Sequence, residues 1–256
     1  MVFHSKKLQR YKKNFLHKML KLVYEQTDFL FRTQAKKDIS FEEWEKITNY
    51  AKLSFSQEGE DAVLQTIFAG KNDGFFVDVG AHHPYQISTT FALYLKGWRG
   101  INIEPNPELF ELFKMRSEDI NLNVGVSETA GKLPYYMMDH PSCNTFSKHH
   151  MKIHENMGFA LKEIKEIEVL PLSEILDKHF RSNMIDYMNI DVECFEMQIL
   201  KSNNWEKYLP KIITVEELDF NDDSENIDLF LKNKGYEYLF KTGKTCFYKL
   251  KEQQES

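Results

Sequence analysis

From Ser56 onward, short apolar runs alternate with stretches whose apolar residues recur every three or four positions. The runs suit strands buried on both faces, and the wider spacing suits helices with one buried stripe, so the alternation predicts a parallel sheet with crossover helices. Strands are expected at 74–78, 100–104, 120–126, 185–191 and 211–217, with helices across 56–68, 88–96, 107–115, 172–180, 194–201 and 224–234. Residues 236–241 and 244–250 read as an antiparallel hairpin around Thr242-Gly243. Residues 131–170 interrupt the alternation. There 133–137 and 166–170 read as extra strands flanking a polar loop, and 137–165 reads as a lid.

The first 53 residues have a different pattern. Leu8, Tyr11, Phe15, Met19 and Leu22 share one helical face, and Ser40 with Glu43 forms a capping box for a second helix. The expected organisation is a helical extension over 1–53 and a catalytic domain over 54–251. Between Met1 and Lys21 there are seven Lys or Arg residues and no acid. Such a helix packs on the core or on a second subunit, making a homo-oligomer. The sharper reading lays it on an anionic membrane surface or on a partner enzyme such as a glycosyltransferase.

Composition narrows the class. The chain of 256 residues is 42% hydrophobic, which suffices for a core, and its net charge of −6 argues against general nucleic-acid binding. Three cysteines without metal-like spacing fit a reducing compartment. With neither a long apolar span nor a signal peptide in the sequence, a cytoplasmic location is expected.

The strongest local signal is Asp78-Val79-Gly80-Ala81-His82 after an apolar strand, with Glu104 closing the next strand. A glycine there lets backbone approach a ligand at the carboxyl edge of the sheet, and an acid at Glu104 suits a ribose diol. A dinucleotide would call for the further glycines of a pyrophosphate cradle, and they are missing. S-adenosylmethionine (SAM), which has no phosphate, fits better.

Ser56-Gln57-Glu58-Gly59-Glu60-Asp61, Val77-Asp78-Val79-Gly80-Ala81-His82-His83-Pro84, Gly97-Trp98, Asn102-Ile103-Glu104-Pro105-Asn106-Pro107 and Asn189-Ile190-Asp191-Val192-Glu193 occur in this order. Together they resemble the FkbM-type methyltransferases, from about Ser54 to Tyr248. The resemblance implies a Rossmann-like class I methyltransferase: a mainly parallel sheet with the C-terminal antiparallel hairpin, preceded here by the helical extension. It also implies a SAM-dependent O-methyltransferase of the kind found among bacterial polysaccharide genes. By position, Asp78, Gly80 and His82 would line the cofactor's amino-acid end and Glu104 its ribose. Gln57 and Glu60 would reach the methionine moiety, and Asp119, Ile120 and Asn123 the adenine edge. One departure is Cys194, where the family has a glycine after Asp-x-Glu.

Methyl transfer to a hydroxyl needs alignment and loss of the hydroxyl proton. Acids gather at two strand ends, Asp191 and Glu193 after the fourth strand and Glu216 and Glu217 ending the fifth. Asp191, Glu216 and Glu217 form a hard-oxygen set suited to Mg²⁺ or Mn²⁺. In the metal-free alternative, Glu193 or His83 is the base beside Asp191. The lid stretch Ser142-Cys143-Asn144-Thr145-Phe146 suits a carbohydrate, and His149, His150, Lys152 and His154 make its continuation basic. These features predict methylation of a hydroxyl on a sugar, nucleotide-linked or in a capsule or cell-envelope polysaccharide. The alternative is a SAM-binding accessory protein docked to a glycosyltransferase.

Overall fold

The computed structural model describes residues 53–217 and 227–252. The expected N-terminal helices, and the first turn of the helix expected at 224–234, lie outside these residues.

The parallel strands are β1 (Phe75–Val79), β2 (Arg99–Ile103), β3 (Ile120–Leu122), β7 (Tyr187–Ile190) and β8 (Ile212–Glu216). The last hairpin, β9 (Tyr236–Thr242) and β10 (Thr245–Leu250), joins the same sheet through an antiparallel pairing of β10 with β8. The seven strands run in the order β3-β2-β1-β7-β8-β10-β9, as expected of a class I methyltransferase. Every residue of β7 is buried, and so are four of the five in β1, β2 and β8. Helices cover both faces, which explains why these strands read as continuous apolar runs.

Alternation along the strands divides the core in two. Val77, Ile101, Met188 and Ile213 face one way, against α5 (Leu172–His179) and α6 (Glu196–Ser202). Phe76, Tyr187, Ile212 and Phe247 face the other, against Leu64 of α1 (Glu60–Ile67) and Trp98. Each such side chain, fully buried, stabilises the domain by roughly 1.5–3 kcal/mol.

Between β1 and β7 the strand order reverses direction, with β2 and β3 on one side and β8 on the other. Such a switch point leaves a crevice beyond the carboxyl ends of the strands. Residues that follow Val79, Ile103, Ile190 and Glu216 therefore converge there.

Three expectations change in detail. The helix expected from Ser56 begins at Glu60, because Gly59 adopts φ +89 and turns the chain at the N-cap. Ser56 instead engages Asp61, donating to Oδ1 at 2.8 Å and accepting from its backbone N–H. The strand expected at 120–126 divides: β3 stays in the main sheet, while β4 (Gly125–Val126) pairs with β6 (Leu161–Leu170). Strand β6 also pairs with β5 (Gly131–Met138), giving a separate three-stranded sheet. Finally, the expected polar loop of the lid holds α4 (Lys148–Asn156), whose N-cap Ser147 accepts from the His150 N–H at 3.3 Å.

Candidate active site

The crevice is a cleft whose floor is set by the turn after β1. Gly80 N and Ala81 N both donate to the Ile103 carbonyl at 3.0 Å. Gly80 has φ +82, and a Cβ there would lie 1.8 Å from the Asp191 carbonyl oxygen. The glycine is thus required by the close approach of the loop after β7, a reason that sequence alone did not supply.

Asp78, Gly80, His82 and Glu104 line this cleft, and so does the exposed Gln57. The Glu104 carboxylate is aimed by two short backbone bonds, from His82 N to Oε2 and from Asn106 N to Oε1, both 2.7 Å. Burial nevertheless pushes its pKa up to about 8, because two N–H groups and no cation face it. Burial also raises the Asp78 carboxyl, despite bonds from Asn189 and Thr90. The His82 imidazole is shifted down by burial and then by the nearby His140.

The other residues expected to contact the cofactor are bonded or packed within the fold, and Glu60 also lines a pocket with Gln57, Asp191 and Glu216. Asp119 accepts from the Gly100 N–H, the Asn102 side chain and the buried Arg116 guanidinium at 2.8 Å, so its carboxylate lies under the sheet edge and not in the cleft. Ile120 packs against the core. Asn123 donates to the carbonyls of Glu104 and Pro105, bracing the loop that carries Glu104. Glu60 is buried and accepts from the Thr242 hydroxyl at 3.1 Å, joining α1 to the terminal hairpin beside the cleft.

Asp191, Glu193 and Glu216 meet: one carboxylate oxygen from each lies within 4.8 Å of the others. Enclosure within the cleft, then the charge of Glu216, raises the Asp191 carboxyl well above its ordinary value even though part of its side chain is open to solvent. Burial and then a neighbouring acid raise Glu193 and Glu216 to about 8 each, and Lys244 opposes both shifts. The Asp191 and Glu216 carboxyls share a side-chain hydrogen bond, which raises the first and lowers the second. Three carboxyl groups gathered in this way fit a divalent cation in their donor chemistry.

Two expected members are elsewhere. Glu217 turns away and accepts from Cys246 Sγ at 3.3 Å, since successive residues at a strand end point to opposite faces. Its place in the triad belongs to Glu193. His83 does not line the cleft either; its Nδ1 accepts from the N–H groups of Tyr85 and Gln86 at 3.3 and 3.1 Å and closes a turn.

The loop carrying Glu193 is held in an uncommon conformation, with φ +52 at Glu193 and +66 at Cys194. Cys194 therefore keeps the left-handed backbone that favours glycine. The buried Glu196 sustains it by accepting from Val192 N and Cys194 N at 3.2 and 3.0 Å. Glu196 and Thr90 escaped the sequence reading, and Asn189 entered it only within a motif, because their roles are tertiary.

The lid closes one wall. Pro141, Ser142, Asn144 and Phe146 line the cleft, whereas Thr145 is buried and donates to the Glu193 carbonyl at 2.9 Å. His150 and His154 are buried, so Lys148, His149 and Lys152 supply the exposed basic groups of α4.

The model of the methyltransferase FkbM domain matches residues 78–238. The chain belongs to the FkbM methyltransferase family. The matched span runs from Asp78 of the cleft into β9. Among solved structures, methyltransferase FkbM from Methylobacillus flagellatus KT is 15% identical with a TM-score of 0.42, over 70% of this chain. The match spans 44% of that protein, so this FkbM-family chain corresponds to less than half its length. A putative O-methyltransferase from Klebsiella pneumoniae is 8% identical over 88% of this chain and 96% of its own, with a TM-score of 0.36. A SAM dependent methyltransferase from Aquifex aeolicus is 10% identical over 83% and 97%, with a TM-score of 0.34. No curated protein sequence matches the chain. None of the described helices is long and apolar enough to cross a membrane.

Proposed function

We propose that this FkbM-family protein methylates a hydroxyl of a sugar, carried on a nucleotide or within a polysaccharide of bacterial capsule or cell-envelope assembly. The observation that carries this reading is the meeting of Asp191, Glu193 and Glu216 over the cleft, beside a lid that offers Ser142 and Asn144. A sugar hydroxyl is a poor nucleophile until its proton is removed or a metal acidifies it, and such a cluster serves either end.

Glu104, aimed by two N–H groups, and Asp78 would hold SAM, which supplies an electrophilic methyl group when bound. The chain's own residues do the rest. The lid excludes water, the small polar side chains orient the acceptor, and the acid cluster takes up the hydroxyl proton or binds Mg²⁺ or Mn²⁺. Docking to a glycosyltransferase, an anionic membrane or a second copy through the basic segment within residues 1–53 belongs to the same proposal. Its support is the run of cations on one amphipathic pattern.

Incubating the protein with methyl-labelled SAM and separate pools of sugar nucleotides and envelope polysaccharides tests the reading. Label in an ether-linked methyl group of a sugar is the expected result. Label appearing only on nitrogen or carboxylate acceptors would overturn it.

A further inference from the structure

A cation stands behind the Asp78 carboxylate, two hydrogen bonds away. Arg116 closes the 3₁₀ helix Glu111–Arg116, and its side chain is buried. Its Nε donates to Asp119 Oδ2 at 2.8 Å, and its guanidinium carbon lies 5.2, 5.0 and 5.9 Å from the ring centres of Phe76, Tyr94 and Phe113. Held there, Nη1 donates to the Thr90 hydroxyl oxygen at 3.0 Å and to the Pro84 carbonyl at 3.4 Å. Thr90, wholly buried before the helix Phe91–Leu95, donates in turn to Asp78 Oδ2 at 2.7 Å.

Arg116 sets the direction of these bonds. A guanidinium has no acceptor, so the Thr90 oxygen must accept from it, and the threonine hydrogen is left for Asp78. Asn189 donates to the other oxygen, Oδ1, at 2.9 Å. Asp78 thus accepts on both oxygens, the arrangement that suits a carboxylate, and each oxygen keeps a further lone pair for a ligand in the cleft that Asp78 lines.

We propose that Arg116 and Thr90 are positioning residues, a relay that holds the Asp78 carboxylate toward the ammonium group at the amino-acid end of SAM. This deepens the function proposed above and rests on its reading of Asp78 as part of the cofactor site. The terminal torsion of an aspartate is soft, so the plane of its carboxylate is set by the donors on its oxygens. Arg116 itself does not line the cleft and reaches it only through Thr90. Burying a guanidinium is costly even beside one carboxylate. Here a single charge serves two acids, Asp119 directly and Asp78 through a hydroxyl whose hydrogen it orients. Its positive charge also opposes the upward shift that burial imposes on Asp78. Asp119, which has no place in the cleft, therefore serves the cofactor by fixing Arg116.

Calorimetry on the full chain with two ligands tests the relay. S-adenosylhomocysteine keeps the amino-acid end, and 5′-methylthioadenosine lacks it. The unmodified chain should bind the first about tenfold or more tightly than the second, the range of one charge-assisted bond. Thr90→Val matches the shape without the donor. It should weaken S-adenosylhomocysteine by about tenfold or more and leave methylthioadenosine within about threefold. Thr90→Ser, which keeps the hydroxyl, should hold both within about threefold of the unmodified chain. A role confined to supporting the fold would weaken both ligands alike. Should Thr90→Val fail to fold, magnetic resonance on the unmodified, threonine-labelled chain decides. The buried Thr90 hydroxyl proton should then be visible, and should move with S-adenosylhomocysteine but not with methylthioadenosine. Equal affinities for the two ligands in the unmodified chain, equal losses in Thr90→Val, or no loss at all would overturn the proposal. So would a Thr90 hydroxyl signal that is missing or moves equally with both. Normal binding with Thr90→Val unaffected sinks this inference alone, whereas an unmodified chain that binds neither ligand sinks the proposed function with it.

Discussion

Asn189 donates from Nδ2 to Asp78 Oδ1 at 2.9 Å, and the two residues are register partners on adjacent parallel strands. The contact is part of a buried polar belt beneath the cleft. Asn189 Oδ1 accepts from Thr214 at 2.8 Å, and Thr90 donates to Asp78 Oδ2 at 2.7 Å. Removing one member leaves its buried partners unsatisfied, at about 1–3 kcal/mol for each neutral group and more for a charged one. Asn189→Leu should therefore lower unfolding stability by about 2–4 kcal/mol, by the same reckoning, in urea denaturation. A loss below about 0.5 kcal/mol would mean that the belt is hydrated.

Gly80→Ala should be more damaging than its size suggests. The new Cβ meets the Asp191 carbonyl, and φ +82 is itself unfavourable for alanine. We expect at least a tenfold loss of SAM affinity and a stability loss of about 2 kcal/mol or more. Calorimetry and thermal melts check both, and near-normal values would show that the loop after β7 yields readily.

Glu104 makes both stability and binding depend on pH. Its folded pKa of about 8 exceeds its ordinary value of 4.5, so between these values the folded chain keeps a proton that the unfolded chain has lost. Stability of the ligand-free protein should fall as pH rises through that window and level off above about 8. If ribose hydroxyls donate to the ionised carboxylate, SAM binding at pH 7 releases a proton. Affinity should then rise toward pH 8, by up to about tenfold per unit. Glu104→Gln should remove this part of the slope in buffers of differing ionisation enthalpy. A slope unchanged in the variant would assign the proton to another group.

The two neighbouring acids at the end of β8 should behave oppositely. Glu216→Gln is expected to lower kcat about a hundredfold or more, in the range of a lost general base or metal ligand. Glu217→Gln should leave kcat within about threefold, or roughly 0.7 kcal/mol. Excess chelator should abolish turnover and Mn²⁺ restore it. Undiminished rates in chelator would leave Glu193 as the base.

Sheet, strand polarity and terminal hairpin were legible in the chain because strands buried on both faces leave an unmistakable apolar signature. The cleft residues Asp78, Gly80, Glu104, Asp191 and Glu216 were legible for a related reason. They follow those strands directly, and the topology forces such positions together. What failed was choosing between adjacent residues. Glu216 and Glu217, or His82 and His83, look alike in sequence, and only the direction of each side chain at its strand end or turn separates them. The lid was harder still. Its helix is short, with nine residues, and its buried side chains are His150, Met151 and His154, so the apolar stripe that marks a helix is faint.

The turn between β9 and β10 reaches back across the sequence to the entry of α1. Thr242 donates to Glu60 and the Lys244 N–H to Glu58 at 2.9 Å, spanning 182 and 186 residues. Residues 57–60 border the cleft, yet these partners are made 182 and 186 residues later. The strands that precede Gly80, Glu104 and Asp191 can pair while synthesis continues, but the wall beside Gln57 waits for the hairpin of β9 and β10. During translation, then, the nascent chain would pass through a stage with paired parallel strands and an unfinished cleft wall. That wall closes only once β9 and β10 have been made.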